Sequence, residues 1–508
     1  MKRDPGYSVT RHLLLLSAVT ALQAAQFPTP INTNTVNNGT APPPMTAGES
    51  LAHLTRIPPG FKGSVFAAEP DVQNPLQMTW DSRGRLWISE NYSYESDTLV
   101  DTYNDRIVVL EGADGSSKFT SRKVFVDDLK RLMGFAVGHG GVWAIAPPNI
   151  LFIPDRNSDG VPDGPAEIVY DGFIYTGTNM HTTANSLRFG LDGWIYGRTG
   201  HAHLHMVGPP GTPLAQRTRL HGSLYRFHPR TRVFEALMSG AVNTFGQDWD
   251  KHGEHFFVST TVGPFWYVMP GAKFRSSSVE PNQKAYELID QIGNFSFGTA
   301  GGGRGGPAGA AGGRGGADAD ATAQAVAIDI PARGATSPSP PREVVTPDAG
   351  ARRPWAAGPW NNGHSVGGAM VYQGDNWPAE YRDRLYTMNL FGHKVVVQML
   401  ERSGSGYVAK RAPEPDIFEF PDPWFRGIDL NYGPDGGVFI ADWTDTGDYH
   451  NRTGSNRLSG RIFKLTYGDA KRSSGSDLHT MTVEQLVALN THANEWFPRH
   501  ARLEFTNR

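Results

Sequence analysis

Residues 427–443, GIDLNYGPDGGVFIADW, decide the fold of this chain. Apolar residues alternate with polar ones from Ile428 to Tyr432, the turn GPDG follows at 433–436, and a second apolar run begins at Val438. Alternation on both sides of a turn that needs positive φ is the signal of a β-hairpin, because each strand buries one face. We therefore predict a hairpin at this position.

The same hairpin recurs along the chain. When the copies are aligned on the turn glycine, four of the others surround Gly84, Gly140, Gly193 and Gly253. A longer copy begins at Gly368. Each copy is followed by another hydrophobic strand, for example RIVVLE at 106–111 and RIFKLTY at 461–467. Repeated units of about four strands are the signature of a β-propeller with one sheet per repeat. We predict an all-β fold, a six-bladed β-propeller over residues 57–468, whose first strand follows Ile57.

Composition excludes several classes of partner and cofactor. The 508 residues carry a formal net charge of −3 and contain no basic run, which argues against a nucleic-acid partner. There is no cysteine. The chain therefore has no disulfide, no thiolate metal ligand and no covalently attached haem.

The N-terminus predicts export. Lys2 and Arg3 precede an apolar run from Leu13 to Leu22 and then small residues, so we interpret residues 1–25 as a signal peptide and expect a periplasmic or secreted protein. A buried N-terminal helix is the alternative. The apolar run is short for a bilayer span, so we expect no transmembrane segment after signal cleavage.

Three further segments differ in composition from the propeller. Residues 26–56 are rich in Pro, Thr and Asn and predict a flexible linker. Residues 294–359, rich in Gly, Ala and Pro, predict a disordered insertion between blades four and five. Residues 478–508 have helical spacing, with Asn494 as an expected N-cap, and resemble the start of a HEAT-like repeat.

Polar residues precede the inner strands of several predicted blades. Propellers bind ligands at the mouth of the central channel, on loops that lead into the innermost strands. Ten residues before the turn glycine stand Asn74, Asn243 and Arg426, and the corresponding loops of blades three and five carry His181 and His364. We expect these five residues to face one another as a ligand site. Asn and His in such loops also cap the backbone, which is the alternative role.

Residues 200–205, GHAHLH, contain a second candidate site. If this segment is extended, alternation places His201, His203 and His205 on one face, close enough to hold a divalent cation. A carboxylate from Asp192 or Asp248 would complete the ligand set.

The stretch DRNSDGVPD at 155–163 resembles a calcium-binding loop. Oxygen ligands at positions one, three, five and nine would come from Asp155, Asn157, Asp159 and Asp163. Gly160 permits a sharp turn, but Ala166 replaces the Glu expected at position twelve. A structural Ca²⁺ site and a metal-free turn are both consistent with the pattern.

Several long motifs together resemble one family of large bacterial proteins. They are APPNILFIPDRNSDGVPDG, NSLRFGLDGWIYGRTGH, WFRGIDLNYGPDGGVFIADW and SGRIFKLTYG. They look like the propeller module of planctomycete-type haem-binding proteins, also described as membrane-bound dehydrogenases. The resemblance implies a propeller often followed by HEAT-like repeats and a cytochrome c domain, although this chain lacks the haem attachment motif.

More distantly, the chain is similar to soluble quinoprotein glucose and sorbosone dehydrogenases, which bind pyrroloquinoline quinone over the channel. This similarity implies that His181 is the base that takes the proton from a sugar hydroxyl and that Asn243 and Arg426 contact the cofactor. Asn74 and His364 would complete the cofactor-binding set. Two departures stand out: Val242 replaces an expected Arg, and Gly200-His201 replaces an expected Asp.

Three functional hypotheses follow. The first is an exported dehydrogenase that oxidises a sugar or polyol through a bound redox cofactor and passes electrons to a cytochrome c. The second is a non-catalytic propeller that binds a glycan or a protein, and the third is a metal-dependent hydrolase that uses the histidines of residues 200–205. Neither a Gly-x-Ser-x-Gly elbow nor a dinucleotide-binding glycine loop is present, which argues against a serine hydrolase or a nicotinamide enzyme.

Overall fold

The protein is a six-bladed β-propeller with short C-terminal helices. The computed structural model describes residues 44–94, 101–175, 182–260, 265–274, 292, 366–390, 392–444 and 458–508. His181, His364, the predicted signal peptide and the predicted insertion at 294–359 lie outside these residues. Each blade is an antiparallel sheet whose first strand lines the central channel.

The first three blades follow each other in sequence. Blade one consists of β2 (Pro75–Trp80), β3 (Leu86–Glu90), β4 (Asp105–Glu111) and β5 (Ser121–Leu129). Blade two consists of β6 (Gly134–Val137), β7 (Gly141–Ala146), β8 (Asn149–Pro154) and β9 (Glu167–Asp171). Blade three consists of β10 (Ala184–Phe189), β11 (Ile195–Thr199), β14 (Leu224–Phe227) and β15 (Phe234–Met238). Its β11–β14 connection carries a separate ribbon, β12 (His205–Val207) and β13 (Thr218–Leu220).

The remaining blades complete the ring. Blade four has three strands in the described part of the chain: β16 (Thr244–Trp249), β17 (His255–Ser259) and β18 (Phe265–Tyr267). Blade five consists of β19 (Val366–Val371), β20 (Arg384–Asn389), β21 (Lys394–Ser403) and β22 (Gly406–Ile417). Blade six consists of β23 (Gly427–Tyr432), β24 (Val438–Asp442), β25 (Arg461–Tyr467) and β1 (Phe61–Ala68).

The ring is closed by the first strand of the propeller. β1 pairs antiparallel with β25, from Phe61 opposite Tyr467 to Ala68 opposite Arg461. The sequence predicted this strand but placed it at the start of blade one, whereas it is the outermost strand of blade six. Blade six thus contains both ends of the propeller, and the sheet edge at β25 is paired rather than exposed.

The predicted hairpin turns have the expected backbone. The turn glycines of five blades have positive φ: 73° at Gly84, 74° at Gly140, 77° at Gly193, 85° at Gly253 and 72° at Gly436. This left-handed region carries a steric cost for other residues, so the repeated glycine is explained by the turn itself. Blade five differs, because a short 3₁₀ helix, Ala379–Tyr381, lies between β19 and β20.

Side chains close the middle of the channel. Gln77 extends from blade one, donating from Nε2 to the carbonyls of Phe135 (2.9 Å) in blade two and Leu187 (2.8 Å) in blade three. Its Oε1 accepts from the N–H of Phe135 at 3.0 Å. A space of about 30 Å³ remains between the inner strands, which is enough to hold water. We call the end at which the inner strands begin the inlet end, and the other the outlet end.

The last part of the predicted linker is ordered. Residues 26–56 were expected to be flexible, but helix α1 (Ala47–Ala52) begins at a capping box in which Thr46 and Glu49 satisfy each other's backbone N–H groups. Ala47 and Ser50 are buried. The prediction missed this helix because the Thr-x-x-Glu signal lies within a Pro- and Thr-rich stretch.

Two C-terminal helices pack on the outlet end. They are α2 (Val483–Ala488) and α3 (Trp496–Asn507). Asn494 Nδ2 donates to the carbonyls of Gly433 (3.1 Å) and Pro434 (3.0 Å), so the segment is attached to the turn of the opening hairpin. Asn494 also provides the expected capping bond, because its Oδ1 accepts from the N–H of Trp496 at 3.0 Å, whereas Glu495, which directly precedes the helix, makes no side-chain capping bond. None of the described helices has the length and apolar character needed to cross a bilayer.

Candidate functional site

Three of the five predicted ligand residues lie at the inlet end. Asn74 directly precedes β2, Asn243 precedes β16 and Arg426 precedes β23. They occupy the same position in three blades because each stands ten residues before its turn glycine. The inner strand fills that interval in each of the three blades. His181 and His364, predicted for blades three and five, are outside the described residues.

The side chain of Asn74 is buried and has no hydrogen-bond partner among the described residues. Its backbone has φ 43° and is fixed by a hydrogen bond from its N–H to the Ser459 carbonyl (2.9 Å) and by one from Asn91 N–H to its carbonyl (3.1 Å). Within the described residues, neither Nδ2 nor Oδ1 of its amide has a hydrogen-bond partner. A buried amide in this state costs about 1–3 kcal/mol unless another molecule pairs with it.

Asn243 repeats this arrangement in blade four. Its carbonyl accepts from the N–H of Thr260 at 2.8 Å, and its backbone forms a β-bridge with Gly200 of blade three. The Oδ1 atom is buried, and no described residue donates to it. Two blades therefore present a buried side-chain amide with unused hydrogen-bonding capacity at the inlet end.

Arg426 is held by neighbouring loops. Its Nη1 donates to His393 Nε2 (2.9 Å) and to the carbonyls of Phe425 (2.8 Å) and Pro423 (3.1 Å). Because Nε2 of His393 accepts this bond, it carries no proton. Burial, followed by the charge of Arg426, lowers the pKa of His393 to about 3. His393 is therefore a neutral imidazole at physiological pH.

Buried acid–arginine pairs support the inlet end in blades one and six. Glu90 and Arg106 are cross-strand partners and form an ion pair, and Asp442 and Arg461 occupy the corresponding positions in blade six. Arg461 also contacts Asp422 at 2.8 Å. Asp442 accepts the N–H of Arg426 at 2.8 Å, so this network orients the Arg426 backbone. Burial raises the pKa of Asp442 to about 6.

The three histidines of residues 200–205 do not form the predicted row. Only His205 lies in a strand; its Nδ1 accepts from the N–H of Ile174 at 2.9 Å, while Nδ1 of His201 donates to the Val242 carbonyl at 2.6 Å. The rings of His203 and His205 are 6.1 Å apart. Burial, then the neighbouring His203 and His221, lowers the pKa of His205 to about 3.

The carboxylates suggested for these histidines are elsewhere. Asp192 lies in the β10–β11 turn and Asp248 near the end of β16, both at the outlet end, because strand direction carries them away from residues 200–205. In the part of the chain that the structure describes, no three His, Asp or Glu side chains converge as a group able to hold a metal ion. The metal role of the histidines stays a prediction without geometric support.

The calcium-like loop joins β8 to β9 at the outlet end. Its carboxylates accept backbone N–H groups: Asp155 from Asp159 (3.0 Å) and Gly160 (3.0 Å), and Asp159 from Val161 (2.8 Å). Asp163 accepts from Arg156 N–H at 2.6 Å, and Asn157 Oδ1 from Asp159 N–H at 3.2 Å. These bonds are those of a turn built on Asp and Asn side chains, and the calcium role stays a prediction.

His393 is the inlet-end residue that sequence reasoning missed. It lies in the β20–β21 connection, which reaches the inlet end because β20 runs from outlet to inlet. The prediction considered only the loops that precede inner strands. The sequence signal was Gly392-His393 directly before the strand segment KVVVQML at 394–400.

Comparison with solved structures gives propellers of low sequence identity. An oxidoreductase described as a glucose dehydrogenase, from Thermus thermophilus, has 15% identity and TM-score 0.48, covering 80% of this chain and 99% of its own. The PQQ-bound aldose sugar dehydrogenase of Streptomyces coelicolor has 12% identity and TM-score 0.44, covering 80% and 98%. The pyranose dehydrogenase PQQ domain of Coprinopsis cinerea has 12% identity and TM-score 0.44, covering 81% and 96%.

A search of curated protein sequences gave no match. A family model described as "Domain of unknown function (DUF7133)" matches residues 46–299 and 330–471. The match includes all the blades and most of the chain. The chain therefore belongs to the DUF7133 family.

Proposed function

We propose that the inlet end binds a sugar or another polyol, and that the exported chain acts on it as a dehydrogenase-like propeller. The observation that carries this proposal is the buried amide of Asn74, neither of whose polar atoms has a partner among the described residues, together with the likewise unpaired Oδ1 of Asn243. An amide offers both donors and acceptors, and a hydroxyl group also donates and accepts. A polyol can therefore pair with both amides, whereas an apolar ligand would leave their cost uncompensated.

His181 is the proposed proton acceptor for the substrate hydroxyl. It precedes β10 in sequence as Asn74 precedes β2, and its similarity to the base of quinoprotein sugar dehydrogenases supports this role. His393 is a poor alternative, because its pKa of about 3 and its bond from Arg426 leave it a weak base. The hydride of the oxidised carbon would need a bound redox cofactor as its acceptor, from which electrons would pass to a separate cytochrome c.

The described residues do not fit pyrroloquinoline quinone. The carboxylates of this cofactor require cationic partners, preferably a bidentate guanidinium. Nη1 of Arg426 already donates to three acceptors of the protein, and position 242 is a buried Val. We therefore derive no reaction step through this cofactor.

Binding without oxidation is the second candidate. The buried amides of Asn74 and Asn243 and the poor fit to pyrroloquinoline quinone both favour it. A polyol needs the amides but no cluster of cations. A glycan-binding propeller would use the inlet end in the same way and would leave the ligand unchanged.

Binding is tested by isothermal titration calorimetry of the full chain with glucose, xylose, sorbitol and glycerol. Asn74→Gly removes the amide and tolerates the φ of 43°, and Asn243→Ala removes the second amide. We expect each variant to bind the best ligand about five- to tenfold more weakly, the loss of roughly one hydrogen bond. Asn376→Gly, at the outlet end, is the control and should bind as the native chain does.

Oxidation is tested by dye reduction on the same panel, with and without added pyrroloquinoline quinone and Ca²⁺. Dye reduction that disappears in His181→Ala supports the dehydrogenase. Ligand binding without dye reduction under any condition supports the second candidate instead. Absence of binding to every ligand, or native affinity in Asn74→Gly, contradicts the site itself.

A further inference from the structure

A second cavity lies at the outlet end, between helix α3 and the propeller. Its volume is about 220 Å³, and its wall combines the ends of β2 and β23 and the β10–β11 turn with one face of α3. For comparison, an apolar cavity of about 150 Å³ binds benzene. The space is therefore large enough for a small organic molecule, and it lies at the end of the inner strands opposite the inlet end.

The wall of this outlet-end cavity is rich in positive charge. Among the described residues it includes Arg188, Arg499 and Arg502 but only one carboxylate, Asp192. Asp192 is paired with Arg226 outside the wall, at 3.2 Å. Behind the wall, Asp248 contacts Arg499 at 2.8 Å and Arg188 at 3.6 Å. Asp429 also interacts electrostatically with Arg188, and Glu495 with Arg499, so carboxylates behind the wall oppose both of these charges.

Arg502 adds a charge that no described carboxylate balances. Its described hydrogen bond is from Nε to Asn490 Oδ1 at 3.2 Å, and that acceptor is neutral. Burial lowers the pKa of His500, also in the wall, to about 4, so this imidazole adds no charge at neutral pH. Arg502 therefore places a positive charge at its end of the cavity, which favours an anion there.

The wall also contains polar groups that lack a partner. Trp80 Nε1, Trp496 Nε1, Tyr432 OH and Arg499 Nε belong to residues of the cavity wall, and all four atoms are buried without a hydrogen bond to any described residue. Three of these groups can only donate. Buried donors without acceptors cost about 1–3 kcal/mol each, so a ligand whose acceptor atoms reach one of these donors would recover that cost.

We infer that the outlet-end cavity binds a small carboxylate, with the carboxylate directed to Arg502 and a compact ring or chain against the aromatic wall. Phe189 and Leu503 add apolar surface, and the indole of Trp496 stacks on His500 at 4.2 Å. A neutral polyol would leave the charge of Arg502 without a counter-ion. The site is thus chemically distinct from the one proposed at the inlet end.

The test uses benzoate as the probe and benzyl alcohol as its neutral analogue, each titrated calorimetrically into the full chain. We expect benzoate to bind at least tenfold more tightly than the alcohol. Arg502→Gln should weaken benzoate binding about tenfold, the effect of one hydrogen bond between charged groups. Asp192→Asn should strengthen it, because the one carboxylate of the wall loses its charge.

The control is Arg382→Gln. Arg382 also supports the C-terminal segment, donating to the Ala493 carbonyl at 2.7 Å, but it is not part of the cavity wall. It should bind benzoate as the native chain does. Equal affinity for benzoate and benzyl alcohol, no binding of either at millimolar concentration, or unchanged benzoate affinity in both Arg502→Gln and Asp192→Asn would overturn the inference. The tighter binding expected of Asp192→Asn cannot arise from partial unfolding.

Discussion

Asp435→Asn should destabilise the propeller strongly, because Asp435 is the counter-ion of a buried lysine. The Asp435 and Lys464 side chains are both 0% exposed. Lys464 Nζ also donates to the carbonyls of Ala113 and Ser116, each at 2.7 Å, and Asp435 accepts the N–H of Gly115 at 2.7 Å. The pair therefore joins the turn of the opening hairpin in blade six to the β4–β5 connection of blade one.

The magnitude follows from what the substitution leaves behind. Asn keeps the shape of Asp and can still accept a backbone N–H, but the ammonium group of Lys464 loses its only described carboxylate contact. An uncompensated buried charge costs about 3–5 kcal/mol. Burial already lowers the pKa of Lys464, so loss of its proton would relieve part of this cost. We expect the free energy of unfolding to fall by about 3 kcal/mol.

The assay is guanidinium denaturation followed by tryptophan fluorescence, with Lys464→Met and the double variant completing a cycle. Asp435→Asn/Lys464→Met should be more stable than Asp435→Asn alone, because replacing both charges removes the desolvated ion rather than isolating it. Lys410→Met is the control, since its pair with Glu401 is exposed, and it should change stability by less than about 1 kcal/mol. A loss below about 1 kcal/mol in Asp435→Asn would refute the reasoning.

Two further predictions concern the stability of the ring. Phe61→Ala should cost about 3–5 kcal/mol, because this β1 ring packs edge-on against Trp377, Tyr381, Phe418 and Tyr467; an unchanged denaturation midpoint would contradict the role of β1 in closure. Acid should also destabilise the fold: burial lowers the pKa of His205, His255 and His393 to about 3 and that of His500 to about 4. The pKa of histidine in the unfolded chain is about 6.5. As the pH falls below this value, the unfolded chain binds protons that the folded chain does not, so the free energy of unfolding should fall. Asp442, with its raised pKa, acts in the opposite direction. A denaturation midpoint that is constant from pH 7 to pH 4 would contradict the histidine assignment.

The repeated hairpin was sufficient to predict the propeller from sequence. The strand alternation and the turn glycines are local signals, and both are found in the structure. The position of β1 could not be predicted in this way. Alternation identifies residues 61–68 as a strand, but its pairing with β25 depends on a contact between the two ends of the ring.

The candidate site was predictable only in part for the same reason. Asn74, Asn243 and Arg426 were found because their distance from the turn glycine is fixed by the length of one strand. His393 reaches the inlet end through a different connection, so that distance does not identify it. The outlet-end cavity exists only because α3 packs under the ring, and no local pattern encodes that contact. For the histidines of residues 200–205, the local pattern predicted a row that the structure does not contain. Hydrogen bonds to distant parts of the chain direct His201 and His205 to different neighbours.

The pairing of β1 with β25 also constrains when the protein can complete its folding. Phe61 pairs with Tyr467, so at about 5–20 residues per second the ribosome supplies the partner strand roughly 20–80 s after β1. During that interval the last blade cannot form, and β1 remains an unpaired edge that another chain could bind. Such long-range pairing makes folding slow. Any cellular factor that holds this chain before it closes would therefore be expected to protect residues 61–68.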